Sequence, residues 1–228
     1  MRHPLRAVLF DLDGTLIDSL PDIAAAVNRL LGATDRPPLS DAEIRMMIGD
    51  GASTLVERVF AARGGLPGPV APLLARFLAE YEPRAAEATR PFPGVAKTLT
   101  TLKASGLALG VCTNKPSGAT TEVLTALGLA GFFAAVIGGD ETPALKPDPR
   151  HVLAVLERLG VTADRAVLVG DSINDIKAAR AAGLPTVAVS FGYTRIPPRQ
   201  LGADVVIDHF DDLPRALAEL ADSGSAGL

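Results

Sequence analysis

The 228-residue sequence predicts a doubly wound (Rossmann-like) parallel α/β sheet core with an all-helical segment inserted after its first strand. Three observations predict it. Short uninterrupted apolar runs recur along the chain, the pattern of strands buried on both faces of a parallel sheet. Between them lie helix-period segments that end at glycine. The alternation fails once, between Pro21 and Ala88, where only helical patterning is found.

Leu5–Phe10 is the first apolar run. Four helical pieces follow, at Ile23–Leu31, Ala42–Met47, Ala52–Arg63 and Val70–Ala88. Ser40 and Glu43 have capping-box spacing and mark a helix start. Pro91-Phe92-Pro93-Gly94 closes the helical stretch. Strands are then expected at Leu107–Cys112, Ala134–Ile137, Ala166–Val169, Thr186–Val189 and Val205–Ile207. The helices Thr120–Leu127, Val152–Leu159 and Asp175–Ala182 alternate with them and end at Gly128, Gly160 and Gly183, each placed as a left-handed cap. The expected division is a core of residues 1–18 and 89–222, a helical unit of residues 19–88, and a frayed tail at 223–228.

Composition narrows the function classes. Hydrophobic residues at 48% and charged residues at 21% fit a globular protein. A net charge of −4 without a basic run, and 4% aromatics without Trp, argue against nucleic-acid and anionic-membrane surfaces. The single cysteine, Cys112, excludes an intrachain disulfide and a cysteine-rich metal site, and His3, His151 and His209 have no metal-ligand spacing. Asp11 and Asp13 cut the apolar run after Arg6 too short for a signal sequence. The longest uncharged stretch, Val123–Gly139, holds four glycines and reads as helix end, turn and strand rather than a bilayer span. The expectation is a soluble, cytoplasmic protein.

In open parallel sheets, chemistry collects beyond the carboxyl ends of the strands. After the first strand stand Asp11-Leu12-Asp13-Gly14-Thr15, with two carboxylates at extended-chain spacing and a glycine that permits a sharp exit. Thr113 and Asn114 follow the second strand. Lys146, one of only five lysines against 17 arginines, precedes Pro147-Asp148-Pro149. Gly170-Asp171-Ser172 and Asp175 follow the fourth strand. Taken singly these are turn formers, helix-start acids and a solvated lysine. Together they fall on one rim. Four carboxylates gathered there need counter-charge, which a hard divalent cation and Lys146 would supply. An all-oxygen donor set without His or Cys favours Mg²⁺, and a metal with a lysine on one point suits a phosphoryl group.

At these residues the sequence resembles the haloacid dehalogenase-like phosphatases. The four motifs occur in the family's order, and the likeness covers nearly the whole chain, the helical insert matching the family's small cap domain. Each motif alone is unspecific; the set of four is highly specific. Phe10–Ser19 and the loop Ile48-Gly49-Asp50-Gly51-Ala52 are most similar to the phosphoglycolate phosphatases within the family. The resemblance implies that Asp11 is the nucleophile forming an aspartyl phosphate. It implies that Asp13 protonates the leaving group and then activates water. Thr113, Asn114 and Lys146 would hold the phosphoryl oxygens. Asp11, the backbone carbonyl of Asp13 and Asp171 would ligate Mg²⁺, with Asp175 orienting the metal's water. Because a halide leaves without a proton, the presence of Asp13 argues against dehalogenation. The implied substrate is a small phosphorylated metabolite, 2-phosphoglycolate first, with a cap arginine, Arg45 or Arg58, meeting its carboxylate. Lys115 and Asp18 read as structural neighbours, and Asp140 and Glu141 stand near the rim without an assigned role. Alternatives are the same chemistry on a sugar phosphate or nucleotide, a phosphosugar mutase, a phospho-accepting receiver-like signalling module, or an inactive binding descendant. A receiver domain is about half this length and carries no helical insert.

Overall fold

The structure, a computed structural model, describes residues 4–223. Strand β1 (Ala7–Phe10) leads through the short β2 (Ile17–Asp18) into four helices: α1 (Leu20–Gly32), α2 (Asp41–Arg45), α3 (Ala52–Ala61) and α4 (Val70–Tyr81). The chain returns through β3 (Arg90–Pro91) to α5 (Val95–Ala104), β4 (Ala108–Cys112), α6 (Ser117–Ala126) and β5 (Ala135–Ile137). It ends with α7 (Pro149–Leu159), β6 (Ala166–Gly170), α8 (Ile173–Ala181), β7 (Thr186–Val189), β8 (Val205–Ile207) and α9 (Leu213–Ser223).

Six strands form one parallel sheet in the order β5-β4-β1-β6-β7-β8. Strand β1 is central, with Ala7 opposite both Ala108 and Ala166. Its four residues are wholly buried because both faces are covered. Ala7 and Leu9 pack with Leu168 and with Val152, Val155, Ala178 and Ala179 of α7 and α8. Val8 and Phe10 face the opposite layer, with Leu99 of α5, Phe210 and Leu213. Two-sided burial is why the strands read as unbroken apolar runs. From β1 the chain winds outward through β4 and β5, then crosses back to place β6 on the other side of β1. The crevice beyond the ends of β1 and β6 is therefore the topological switch point of the sheet.

The six expected strands and three glycine-capped helices are present, with Gly128, Gly160 and Gly183 all at positive φ. The first strand starts at Ala7 rather than Leu5. The helix expected over Val70–Ala88 ends at Tyr81, where the chain tightens into a 3₁₀ turn at Glu82–Arg84. Pro83 explains this, since it has no N–H for the carbonyl of Ala79 and its ring clashes there. Ser223 closes α9 instead of beginning a tail, and residues 224–228 lie outside the described residues. Helices α5 and α9 and the β2–β3 pair were not anticipated.

The helical stretch enters and leaves through one narrow neck. There β2 and β3 pair antiparallel, Ile17 with Pro91 and Asp18 with Arg90. The Asp22 carboxylate accepts from Ala88 N (2.9 Å), Thr89 N (2.8 Å) and Thr89 Oγ1 (2.7 Å), clamping the start of α1 to the returning chain. Beyond the neck, Ile23, Val27, Leu55, Val59, Phe60 and Phe77 bury the apolar stripes of α1, α3 and α4 against one another. The Ser40–Glu43 capping box starts α2. Among the described residues no helix is long and apolar enough to cross a membrane.

Candidate active site

Asp11 is the first residue past β1, and its N–H still bonds to Val169 O (2.9 Å), so the parallel ladder fixes where its side chain starts. Its Oδ1 accepts from Leu12 N (2.7 Å) and lies 2.9 Å from Lys146 Nζ. Among the described residues no donor reaches Oδ2. One oxygen is thus locked and the other is free to react. Asp11 and Asp13 both line a cavity of about 50 Å³ between the sheet rim and the helical layer.

Lys146 is 3% exposed and makes the central contacts of the rim. Besides Asp11, its ammonium bonds to Asp175 Oδ1 (2.7 Å) and Cys112 O (2.6 Å). Its backbone is held by Asn114, whose Oδ1 accepts from Lys146 N and whose Nδ2 donates to Lys146 O, both at 2.9 Å. Asn114 also donates to Gly49 O (3.0 Å), reaching the loop before α3. Thr113 lines the cavity, and its Oγ1 accepts from Lys115 N (3.2 Å).

Asp171, just past the end of β6, accepts from Tyr193 N through Oδ2 (2.5 Å) and lies 3.4 Å from Thr15 Oγ1. Close approach here requires glycine. A Cβ on Gly14, whose φ is +84°, would stand 2.5 Å from Asp171 Oδ2, and one on Gly192 only 2.2 Å from Asp171 Cβ. Asp175 is fully engaged: Oδ1 takes Lys146, while Oδ2 accepts from Ser172 N (3.0 Å) and Ser172 Oγ (2.6 Å) in the capping box of α8.

Carboxylate oxygens of Asp11, Asp171 and Asp175 lie within 4.8 Å of one another, all three buried. Burial pushes Asp11 up to about 6 against the pull of Lys146, with Asp175 adding to the rise. Asp171 is raised well above the usual carboxylate range by burial first and then by Asp175 and Asp11. Burial opposes charge on Lys146, but Asp11 and Asp175 outweigh it and hold the ammonium above its ordinary range. One ammonium against three carboxylates leaves the rim short of positive charge. The donors are all hard oxygens, and burial pushes the Cys112 thiol beneath them up to about 12, so it offers no thiolate. The residues present fit a Mg²⁺-like ion.

The Asp13 carboxylate stands apart from that triad. It bonds to Ser19 Oγ (2.6 Å) and to Lys115 Nζ (3.0 and 3.2 Å). Lys115 is 5% exposed and also donates to the Tyr81 hydroxyl at the end of α4. Burial would discharge Lys115, but Asp13 and Tyr81 overcome that and raise it. The opposite wall is apolar: Ile23, Ile48, Leu55 and Phe77.

Arg45 and Arg58, expected to meet the far end of the substrate, do not line this cavity. Arg45 donates to the carbonyls of Phe191 (3.1 Å) and Gly192 (2.5 Å) and lies over the Tyr193 ring. Arg58 pairs with Asp50 and donates to Met47 O (3.0 Å). Both follow helix faces turned toward loops, a direction that sequence spacing does not fix. Asp140 is tied to the start of α6 through Ser117 N (2.8 Å), and Glu141 accepts from Gly138 N (2.7 Å), so neither reaches the rim. Asp18 accepts from the Tyr193 hydroxyl (2.5 Å), which in turn accepts from Ser19 N (2.8 Å). Sequence reasoning missed Tyr81, Ser19 and Tyr193 and undervalued Lys115. The available signals were Lys115's place beside Thr113-Asn114 and Pro83's power to end a helix at Tyr81.

Comparison with known proteins matches this geometry to a family. Residues 8–189 match the haloacid dehalogenase-like hydrolases. A phosphoglycolate phosphatase of Caulobacter vibrioides is 49% identical over 95% of this chain and 92% of its own length. One of Rhodospirillum rubrum is 45% identical over 91% of this chain and 89% of its own. Among solved structures, a predicted phosphoglycolate phosphatase of Haemophilus somnus superposes with a TM-score of 0.87 at 33% identity, covering 93% of this chain and 97% of its own. The chain belongs to the haloacid dehalogenase-like hydrolase family.

Proposed function

We propose that this phosphatase is a Mg²⁺-dependent phosphomonoesterase working through an aspartyl phosphate, with 2-phosphoglycolate as its substrate and glycolate and phosphate as products. One observation carries the reading. Asp11 has one oxygen locked and one free, and it shares a cavity with Asp13 while Lys146 bridges it to Asp175.

The free oxygen of Asp11 attacks phosphorus in line with the ester oxygen. As that P–O bond forms, the bond to the leaving oxygen breaks, and Asp13 donates the proton the alkoxide needs. Asp13, now ionised, takes a proton from water, which attacks the same phosphorus and returns Asp11 as carboxylate. Thr113 and Lys146 would hold the non-bridging oxygens, Lys146 as point charge, whereas Asn114, expected to join them, has its amide spent on Lys146 and Gly49 O and would act by fixing Lys146 and the Gly49 loop. Asp11, the Asp13 carbonyl and Asp171 would ligate Mg²⁺, and the fully engaged Asp175 would orient the ligand shell. When bound, the ion would neutralise charge on the phosphoryl oxygens.

In this reading, residues 19–88 are a cap domain that closes over a core of residues 1–18 and 89–222, swinging on the β2–β3 neck. The partner is a small phosphorylated metabolite, in a cytoplasmic setting, with neither nucleic acid nor membrane involved. The relatives named as phosphoglycolate phosphatases support the substrate. Phosphate release measured over a panel of small phosphomonoesters tests it. The expected result places 2-phosphoglycolate among the best few by kcat/KM. A sugar phosphate or nucleotide ahead of it would keep the chemistry and overturn the substrate.

A further inference from the structure

We propose that Tyr81 and Lys115 form a reader of negative charge on the leaving group, making the site selective for phosphate esters that carry a carboxylate beside the phosphate. This rests on the phosphomonoesterase reading and names what selects its substrate.

Four observations carry it. Among the described residues Lys115 is the one cationic side chain lining the cavity, whose other charged walls are Asp11 and Asp13. A second anion entering there meets no other cation. Next, the hydrogen bond between Lys115 and Tyr81 has only one possible direction, because an ammonium donates and cannot accept. The Tyr81 proton therefore points elsewhere, and among the described residues no acceptor meets it. Tyr81 is 2% exposed and lines the cavity, so this buried donor is unspent at the cavity wall. An ammonium bonded to the phenol oxygen also polarises the O–H and strengthens it toward an anionic acceptor. Third, α3 opens on the same cavity through Gly51 and Ala52 with no side chain capping its first N–H groups, adding positive potential. Fourth, the space beside Asp13 is small, about 50 Å³, and its far wall is made of Ile23, Leu55 and Phe77, so a short leaving group brings its second anion next to Lys115 and Tyr81.

The two reader groups come from different parts of the fold. Lys115 follows β4 on the rim, while Tyr81 ends α4 in the helical layer. The donor is in place only when the layer sits against the rim, so recognition of the carboxylate and closure of the cavity are one event.

The test compares 2-phosphoglycolate with 2-hydroxyethyl phosphate, in which an alcohol replaces the carboxylate. The readout is the ratio of their kcat/KM values in wild type, Tyr81→Phe and Lys115→Met. A hydrogen bond to a charged group contributes about 1.5–3 kcal/mol, so the preference should fall roughly 10-fold or more in each variant. Tyr81→Phe removes one oxygen and keeps the fold testable should Lys115→Met unfold. Equal losses on both substrates would assign the pair a merely structural role and overturn the proposal. Glycolate binding, followed by ligand-observed NMR, separates the two readings. Binding that is lost in both variants upholds the reader even if no phosphate ester is hydrolysed, in which case the phosphatase reading alone fails. A wild type with neither carboxylate preference nor glycolate binding overturns the reader while leaving hydrolysis standing.

Discussion

The two walls of the cavity are built differently. The rim carries Asp11, Lys146, Asp171 and Asp175, buried polar groups that stand past β1, in the loop after β5, past β6 and in the first turn of α8, each fixed by two or more neighbours. The helical wall carries Ile23, Ile48, Leu55 and Phe77, with one hydroxyl among them, on elements joined to the core through a two-strand neck. A parallel sheet buried on both faces is rigid and can hold reacting groups in register. A helical layer on a neck can move, and its side chains set shape without altering the chemistry. The difference predicts that rim substitutions abolish turnover on every substrate, whereas changes on the helical side shift affinity and preference.

The largest effect expected is from Asp11→Asn. The amide keeps the shape and the Leu12 contact but cannot act as a carboxylate nucleophile. Turnover should fall by at least about a thousandfold for all phosphomonoesters, with the far-UV spectrum unchanged. Near-normal phosphate release from this variant would eliminate the covalent route. Excess EDTA comes next. Three buried carboxylates facing one ammonium need the additional positive charge to bind a phosphate dianion, so chelation should stop turnover and added Mg²⁺ should restore it. Activity that persists through exhaustive chelation would refute the metal assignment.

Much of the rim was legible because it sits where strand ends must put it. Once Ala7–Phe10, Ala108–Cys112 and Ala166–Gly170 are read as adjacent parallel strands, Asp11, Thr113 and Asp171 fall at neighbouring strand ends, within one residue of register. The helices ending at Gly128, Gly160 and Gly183 were legible for a similarly local reason, since a left-handed residue there favours glycine. The helical wall was not. Which way Arg45 and Arg58 point depends on how α2 and α3 rotate against the core, and 3.6-residue periodicity gives only an apolar stripe. Tyr81 becomes a wall residue because Pro83 ends α4 beside α6, and Lys115 is buried only because Asp13 and Tyr81 compensate its charge. Both are tertiary outcomes.

The rim should also carry a measurable cost in stability. Asp11 is raised from 3.8 to about 6 in the folded protein by burial. Between those values the folded chain keeps a proton on Asp11 that the unfolded chain has lost, so without metal, Asp11's contribution to stability falls as pH rises through this window and changes no further above it. Asp11→Asn removes this titration, and Lys146 retains Asp175 and the Cys112 carbonyl. In EDTA, the variant's Tm should exceed that of wild type at pH 7.5, by about 2–4 °C for each kcal/mol recovered, with the gap closing near pH 4. Melting curves that run parallel across that range would show the rim to be unstrained, and the contrast between the walls would lose its energetic side.

The smallest effect belongs to the contacts between the walls. Asp50, in the loop before α3, accepts from Asn174 Nδ2 of α8 (2.5 Å), from Arg195 Nη2 (2.7 Å) and from Arg58. Burial works against its charge, but those three donors hold the carboxyl below its ordinary range. Asp50→Ala leaves both arginines other partners, since Arg58 keeps Met47 O and Arg195 keeps Met46 O and Ile48 O. The loss should therefore be limited to roughly 1 kcal/mol or less, as for a partly exposed ion pair. Its consequence should be a loosened Gly49–Ala52 loop, raising KM by about 2–5-fold while kcat stays within about twofold. A kcat that fell tenfold with KM unchanged would put Asp50 in the chemical step. The division of labour between a reacting rim and a selecting wall would then be wrong at the point where the two meet.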